Sequence, residues 1–438
     1  MDRRELLAAT GALTAVALAG CIQNSDSDDE DPGTDDEEPS TDPEKNPEIP
    51  EDELQALARD NAAFATNLYR ELRTDTDENV FFSPYSISVA LAMVYAGAEG
   101  ETATEMEETL QFTAGEDVHP AFASLQHELT DREEIEDPEA DDEDDTVDAF
   151  KLRVANALWG QEGTEFAADY LTLTEEYYGA GIADADFAGD SDGERERIND
   201  WVADQTEDRI DDLLPEGSIT AETVLVLTNA IYFLASWQSE FDPDDTEEGP
   251  FETLEGSEST AQFMSQSLRT GYADVDGAEA VELRYVGGEV SMVLVLPEDG
   301  NFEEFESDFD ADRLFDIFDD LSDYRGELFL PKFEVETEFQ LSEPLQELGM
   351  TRSFGGDADF GGMYEGDGTG SWIDEVYHDA FVSVDEEGTE AAAATAVTMP
   401  VDEPSSWGEL RFDRPFLFCI RDRPTDSVLF LGRVTDPA

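Results

Sequence analysis

Nucleophilic catalysis needs a serine or cysteine beside a base, and this 438-residue chain has three histidines: His119, His127 and His378. Ser83 with His378 is the pair that prompts a hydrolase reading. No G-x-S-x-G turn presents a serine, however, and His119 and His127 sit in an early polar region. HExxH and CxxC are absent too, so no metal and no cofactor is expected. A different kind of chemistry, mechanical rather than catalytic, is open to residues 388–399, GTEAAAATAVTM. Taken as a strand, Thr389, Ala391, Ala393, Thr395, Val397 and Met399 share one face, and all are small or apolar enough for a core. The other face holds Glu390, Ala392, Ala394, Ala396 and Thr398. Gly388 supplies the backbone freedom of a hinge. The same alanines would also suit a helix, since alanine is the best helix former.

Elements able to receive such a strand are visible elsewhere. Leu57, Phe64, Leu68 and Leu72 recur with helical period, and a second helix follows Ser83-Pro84 with Ile87, Leu91 and Val94 on one face. Ser83 suits the N-cap and Pro84 the first helical position. VLVLTNAIYF from Val224 and MVLVLP from Met292 read as strands covered on both faces. Phe333, Val335 and Thr337 alternate with Glu334, Glu336 and Glu338, giving a strand with one dry and one wet face. FDRPFLFCI and SVLFLGRV close the chain as two more strands. Helices come early and strands dominate later, so the class is α+β with a large mixed sheet. An acidic insertion from Asp131 to Asp148 reads as a mobile surface loop.

Asp and Glu number 111 against 23 Lys plus Arg, a formal charge of −88, and the lysines are Lys45, Lys151 and Lys332 alone. This is the composition of a protein adapted to molar salt, where a Debye length of about 3 Å removes long-range repulsion. Nucleic acid is excluded as a partner, because phosphate contacts need clustered cations. Residues 1–20 carry a twin arginine, Arg3-Arg4, and an apolar run shorter than the ~20 residues of a membrane span, so they read as a signal peptide. LAGC, ending at Cys21, resembles a lipoprotein lipobox and would leave Cys21 lipidated and membrane-anchored; the alternative is an ordinary signal peptide in which Cys21 is incidental. Residues 21–50 are a run of Asp, Glu, Ser, Thr and Pro that reads as a disordered tether. Cys419, in FLFCI, is the only other cysteine, so no intrachain disulfide remains after lipidation, and it reads as a small core residue.

From Asn79 the line NVFFSPYSISVALAMVYAGAEGETATEM resembles the second-helix signature of the serpins. VANALW, INDWV, LTNAIYF with Trp237 beyond, LPKF, LGM, ADFGG and FDRPFLF follow in serpin order. EEGTEAAAAT, residues 386–395, resembles the family's reactive-loop hinge: Glu386, Glu387, Gly388, Thr389, Glu390, Ala391, Ala392, Ala393, Ala394 and Thr395. The chain is thus identified as a member of the serpin family over residues 51–438. Asp208-Arg209, Leu234-Ala235-Ser236 and Asp379 depart from the family pattern, each in keeping with depletion of lysine.

The resemblance implies a fold of three β-sheets, about nine helices and an exposed reactive loop. It implies an inhibitor that is attacked by a target serine protease, forms an acyl-enzyme, and inserts the freed arm into the main sheet; the signal peptide and lipobox place it outside the cell, anchored to the outer face of the membrane, and a monomer is expected. The resemblance places Ser83, Ser86, Asn229 and His378 in the polar shutter beneath that sheet, and Trp237, Lys332 and Glu386 at the breach where insertion starts. By the family spacing the cleaved bond is Asp402-Glu403, with Val401-Asp402 as alternative. Subtilisin-like proteases are the partners expected of an exported protein. A loop two residues longer than usual leaves room for a non-inhibitory serpin acting as a surface binding protein.

Overall fold

A computed structural model describes residues 43–74, 76–136, 146–148, 150–179, 182–365, 371–389 and 406–438. Cys21 and its neighbours, Glu390 to Thr395, and Val401, Asp402 and Glu403 lie outside the described residues.

The first helix, Glu51–Leu72, opens after Pro50 with Glu51, Asp52 and Glu53 in its first turn, where carboxylates meet the positive end of the helix dipole. Leu54, Leu57, Phe64, Leu68 and Leu72 form its buried stripe. Pro84–Tyr95 is buried at every residue, so it is a core helix rather than a surface one. Ser83 caps it by accepting from the Ser86 amide, and Pro84 occupies the first turn, as their types require.

These helices pack on two large sheets. The nine-stranded one runs Val80–Phe82, Ser427–Val434, Phe416–Asp422, Val290–Pro297, Ala278–Arg284, Glu258–Val275, Ser322–Pro331 and Ser406–Arg411, with Glu247–Glu252 beside the long strand Glu258–Val275. That 18-residue strand pairs with three different partners along its length and so joins two sheet surfaces into one ladder. Cys419 is buried in this sheet, and burial pushes its thiol up to about 12, as suits a core residue.

The six-stranded sheet positions the site. Its order is Phe333–Gln340, Tyr377–Val384, Gly388–Thr389, Leu225–Ser236, Phe150–Gln161 and Ile182–Ala185. Phe333 and Val335 face the core while Glu334 and Glu336 face water, as the alternation demands. Among the described residues there are nine α-helices, three sheets and an α+β architecture.

Two expectations need correction. The acidic insertion is not loop throughout: Val118–Asp131 is helix to its last residue, and Glu134–Glu136 pairs with Thr146–Asp148 in a two-stranded ladder. The tether does not run free to residue 50. Pro43 is buried, the Lys45 amide donates to the Glu176 carbonyl at 2.9 Å, and the Lys45 carbonyl lies 2.9 Å from His127 Nε2.

Candidate functional site

Leu225–Ser236 and Tyr377–Val384 lie side by side and parallel, but only Ala230, Ile231 and Tyr232 pair with Asp379, Ala380 and Phe381. Above these three rungs the strands part. Val384 ends its strand, residues 385–388 turn, and the chain re-enters the sheet between its two neighbours. Gly388 pairs with Ser236, Thr389 with Ala235, and Thr389 also with Val384. The turn closes itself: the Asp385 amide donates to the Gly388 carbonyl at 3.0 Å, and Asp385 Oδ1 accepts from the Glu387 amide at 2.9 Å. Glycine is required at 388, since a Cβ there would stand 2.2 Å from the Ala235 carbonyl oxygen.

Three side chains hold this wedge. Trp237 stacks on Tyr285 with centroids 4.6 Å apart and donates from Nε1 to the Asp385 carbonyl at 3.0 Å. Its amide donates to the Glu387 carbonyl, and the Phe241 amide to that of Glu386. Thr389 is fully buried, its hydroxyl 2.8 Å from that of Tyr285. The Glu386 carboxylate accepts from Lys332 Nζ at 2.6 Å and from the Thr246 hydroxyl at 2.7 Å. Burial alone would raise the pKa of Glu386; the hydrogen bonds from Lys332 and Thr246, together with the Lys332 charge, outweigh it and hold the carboxyl below its usual range. Trp237, Lys332 and Glu386, singled out together in the sequence, thus meet at one end of the sheet.

Below the rungs lies a closed polar network. The His378 ring accepts at Nε2 from the Ser83 amide, 3.1 Å away, and donates from Nδ1 to Asn229 Oδ1. Asn229 Nδ2 donates to Ser86 Oγ at 2.8 Å and to Asn156 Oδ1 at 2.7 Å. Asn156 Nδ2 donates to the Ser86 carbonyl at 3.0 Å, and Ser83 Oγ to the Leu429 carbonyl at 2.7 Å. Burial pushes His378 down to about 3, so the ring is neutral and keeps the tautomer that its two partners require. Its Nε2 addresses the Ser83 amide, not the hydroxyl, in a fully buried setting. That is a structural network, not a nucleophile with its base.

Asn156 is a member of the network that sequence reasoning missed. The signal was a polar residue inside the otherwise apolar VANALW, and it becomes meaningful only through the register that sets Asn156 opposite Asn229. Thr246 and Tyr285 carried no local signal.

Asp379, the residue after the histidine, lies opposite Glu338 in register and on a rung of the seam. Burial, followed by the charges of Glu338, Glu336 and Asp212, raises its carboxyl to about 8. Arg209 lies nearby, over the Phe381 ring.

The profile of the family Serpin (serine protease inhibitor) matches residues 59–437. A serpin-like protein of Methanosarcina mazei is 35% identical over 435 residues, 97% of this chain and 96% of that one. Leukocyte elastase inhibitor A of Rattus norvegicus is 37% identical over 400 residues, covering 88% of this chain and 100% of the relative. The native-state crystal structure of the thermophilic serpin tengpin superposes with a TM-score of 0.75 at 29% identity, over 90% of this chain and 97% of that one. The chain belongs to the serpin family, a family of serine protease inhibitors.

Two outcomes are expected from this geometry. Asn156→Ala strands buried partners on Asn229 and Ser86 and should lower the unfolding free energy by about 1–3 kcal/mol, measured by denaturant titration in molar salt. For Asp379 the unfolded chain loses its proton near 3.8 and the folded chain only near 8. The stability tied to this proton is therefore complete below the lower value and lost as pH rises through the upper one. Asp379→Asn should raise the thermal midpoint at pH 9 and leave it unchanged at pH 3.

Proposed function

We propose that this chain is a suicide-type inhibitor of serine proteases that works by reactive-loop cleavage and insertion into the six-stranded sheet. One observation carries the reading. The hinge is already seated: Gly388 and Thr389 occupy the first two places of a new strand between the parted neighbours. The residues that follow in sequence, Glu390 to Thr395, are the ones whose alternate members are small. Advance of that strand needs the three rungs between residues 230–232 and 379–381 to break and re-form on either side of it. Three backbone pairs, worth about 1 kcal/mol net per bond, are a modest barrier against ten new residues paired on both edges.

In this reading the hinge comprises Glu386 to Thr395; Trp237, Lys332 and Glu386 form the breach; Ser83, Ser86, Asn229 and His378, with Asn156, form the shutter. The protease attacks at Asp402-Glu403 or Val401-Asp402. Serine attack transfers the acyl carbon of the residue before the bond to the enzyme, and the inserting arm then pulls the acyl-enzyme out of shape before water can release it. The inhibitor is consumed, so no turnover is asked of this chain. A subtilisin-like protease fits an exported inhibitor. The chain acts as a monomer, carried outside the cell on a lipid at Cys21 after removal of residues 1–20, and its acidic surface serves molar salt. Among the described residues no helix is long and apolar enough to cross a membrane.

Incubation with a subtilisin-like protease in molar salt should give an SDS-resistant complex. Thr395→Arg, which sets a long cation on the inward face, should abolish the complex while cleavage continues. Cleavage of the unaltered chain with neither complex nor thermal stabilisation would sink the inhibitory reading. Separately, Cys21→Ser should shift the protein from the membrane fraction to the medium, seen by immunoblotting; retention on the membrane would count against lipidation.

A further inference from the structure

Residues 206–214, which lead out of the Phe187–Gln205 helix, lie across the rungs of the seam. Ile210, Leu213 and Leu214 are buried there in a core cluster that also holds Ala230, and Tyr377 packs against the same cluster. The Arg209 guanidinium stands 5.8 Å over the Phe381 ring. Between segment and sheet remains a cleft of about 40 Å³, with Arg209, Asp211 and Asp212 on one wall and Glu336, Glu338 and Asp379 on the other. Register sets Asp379 between Ala230 on one side and Glu338 on the other, with Glu336 opposite Phe381, the next residue on that face. His378 and Ala380 alternate with them and are buried on the opposite face.

Each element around Asp379 brings a charged or titratable group. Phe333–Gln340 brings Glu336 and Glu338, and the segment brings Glu207, Arg209, Asp211 and Asp212. Leu225–Ser236 brings Tyr232, to whose hydroxyl Arg209 is bonded, and the strand of Asp379 itself brings Tyr377. Burial holds both phenols above their usual range, so they stay neutral, as His378 does on the other face. The charges that act on Asp379 are those of Glu338, Glu336 and Asp212, all negative. Asp212 is fixed in place, its Oδ1 accepting from Asn199 Nδ2 at 2.8 Å and from Arg195 Nη1 at 3.2 Å. The strand of Asp379 is fixed too, paired with Phe333–Gln340 at every one of its residues. The backbone of the segment is the part that can yield. Glu207 and Asp208 both hold positive φ, 54° and 60°, in the left-handed region that a Cβ makes costly.

We propose that Asp379 and residues 206–214 form a proton-controlled latch over the seam. With its proton, Asp379 is a neutral floor on which the segment lies, and the rungs beneath are covered. Without it, Asp212, Glu336, Glu338 and Asp379 repel one another across the cleft, the segment lifts, and the rungs are uncovered. The latch belongs to the uncut chain and needs no loop insertion, so it stands or falls apart from the inhibitory reading. The Asp379 carboxyl loses its proton near 3.8 when solvated and near 8 under the segment. Lifting between these values therefore releases one proton, and the lifted fraction grows about tenfold for each pH unit. The hold is complete below the lower value, and above the upper one both states are deprotonated and the growth ends.

Hydrogen–deuterium exchange of the full, uncut chain in molar salt between pH 5 and pH 9 tests the latch, with each rate taken relative to that of an unstructured peptide. The Ile210 and Leu214 amides donate to Thr206 Oγ1 and Asn199 Oδ1 while the segment is down. Their protection should fall by about tenfold for each pH unit up to about 8 and then level off. Asp379→Asn should hold that protection constant over the whole range. Glu338→Gln removes one negative neighbour and should move the levelling to lower pH. Protection that does not change with pH in the unaltered chain overturns the latch, and so does a fall that persists in Asp379→Asn. Should Asp379→Asn not fold, Glu338→Gln decides the matter: levelling at the same pH as in the unaltered chain overturns the latch.

Discussion

The structure depends on one seam. Leu225–Ser236 and Tyr377–Val384 run parallel and share three rungs, while Gly388 and Thr389 hold them apart above. A sheet whose central strands are joined this sparsely is short of hydrogen bonds in its middle, and a strand entering there would satisfy both edges at once. Much of what surrounds the seam either holds it shut or waits for it to open. Trp237, Glu386 and Lys332 fix the wedge at its present depth; His378, Asn229, Asn156, Ser86 and Ser83 clamp the strands below.

The clamp is built from neutral groups, and the acidity of the chain explains why that matters. In molar salt, exposed ion pairs contribute little. Pairs placed where salt reaches little are the ones to weigh, among them Glu306 with Arg433, Asp422 with Arg132, and Glu282 with Arg421, Arg423 and Arg284. Burial would raise the Glu282 carboxyl, and its arginines lower it instead. These networks brace the nine-stranded sheet and the first helix, where Tyr69 also meets Glu306, and they lie away from the seam. Asp379 is the exception, an acid on a seam rung that burial, aided by the surrounding carboxylates, keeps protonated to about 8. A lysine-poor composition thus leaves its mark on the moving part of the fold.

The sequence revealed elements more readily than their company. Helical period and the Ser83-Pro84 cap located the two first helices, and alternation in Phe333–Gln340 located a strand with the correct buried face. Small residues at 389–399 read as a segment fit for burial, and Thr389, the one of them that is described, stands where the sheet parts. What stayed hidden needed long-range register. Asn156 is an ordinary strand residue until Asn229 is set opposite it, and Thr246 and Tyr285 reach the hinge from far away in the chain. The docking of residues 43–50 was masked by a composition that reads as tether, because a single buried proline and one lysine do not alter an average.

The central claim is that the seam opens to admit residues 390–399 as a strand. Hydrogen–deuterium exchange of the chain before and after a single cut in the loop tests it most directly. The account expects amides of residues 390–399 to exchange fast in the uncut chain and, once cut, as slowly as those of Leu225–Ser236, with Asp379–Phe381 protected in both. Amides of 390–399 that still exchange at the unprotected rate after the cut would contradict it.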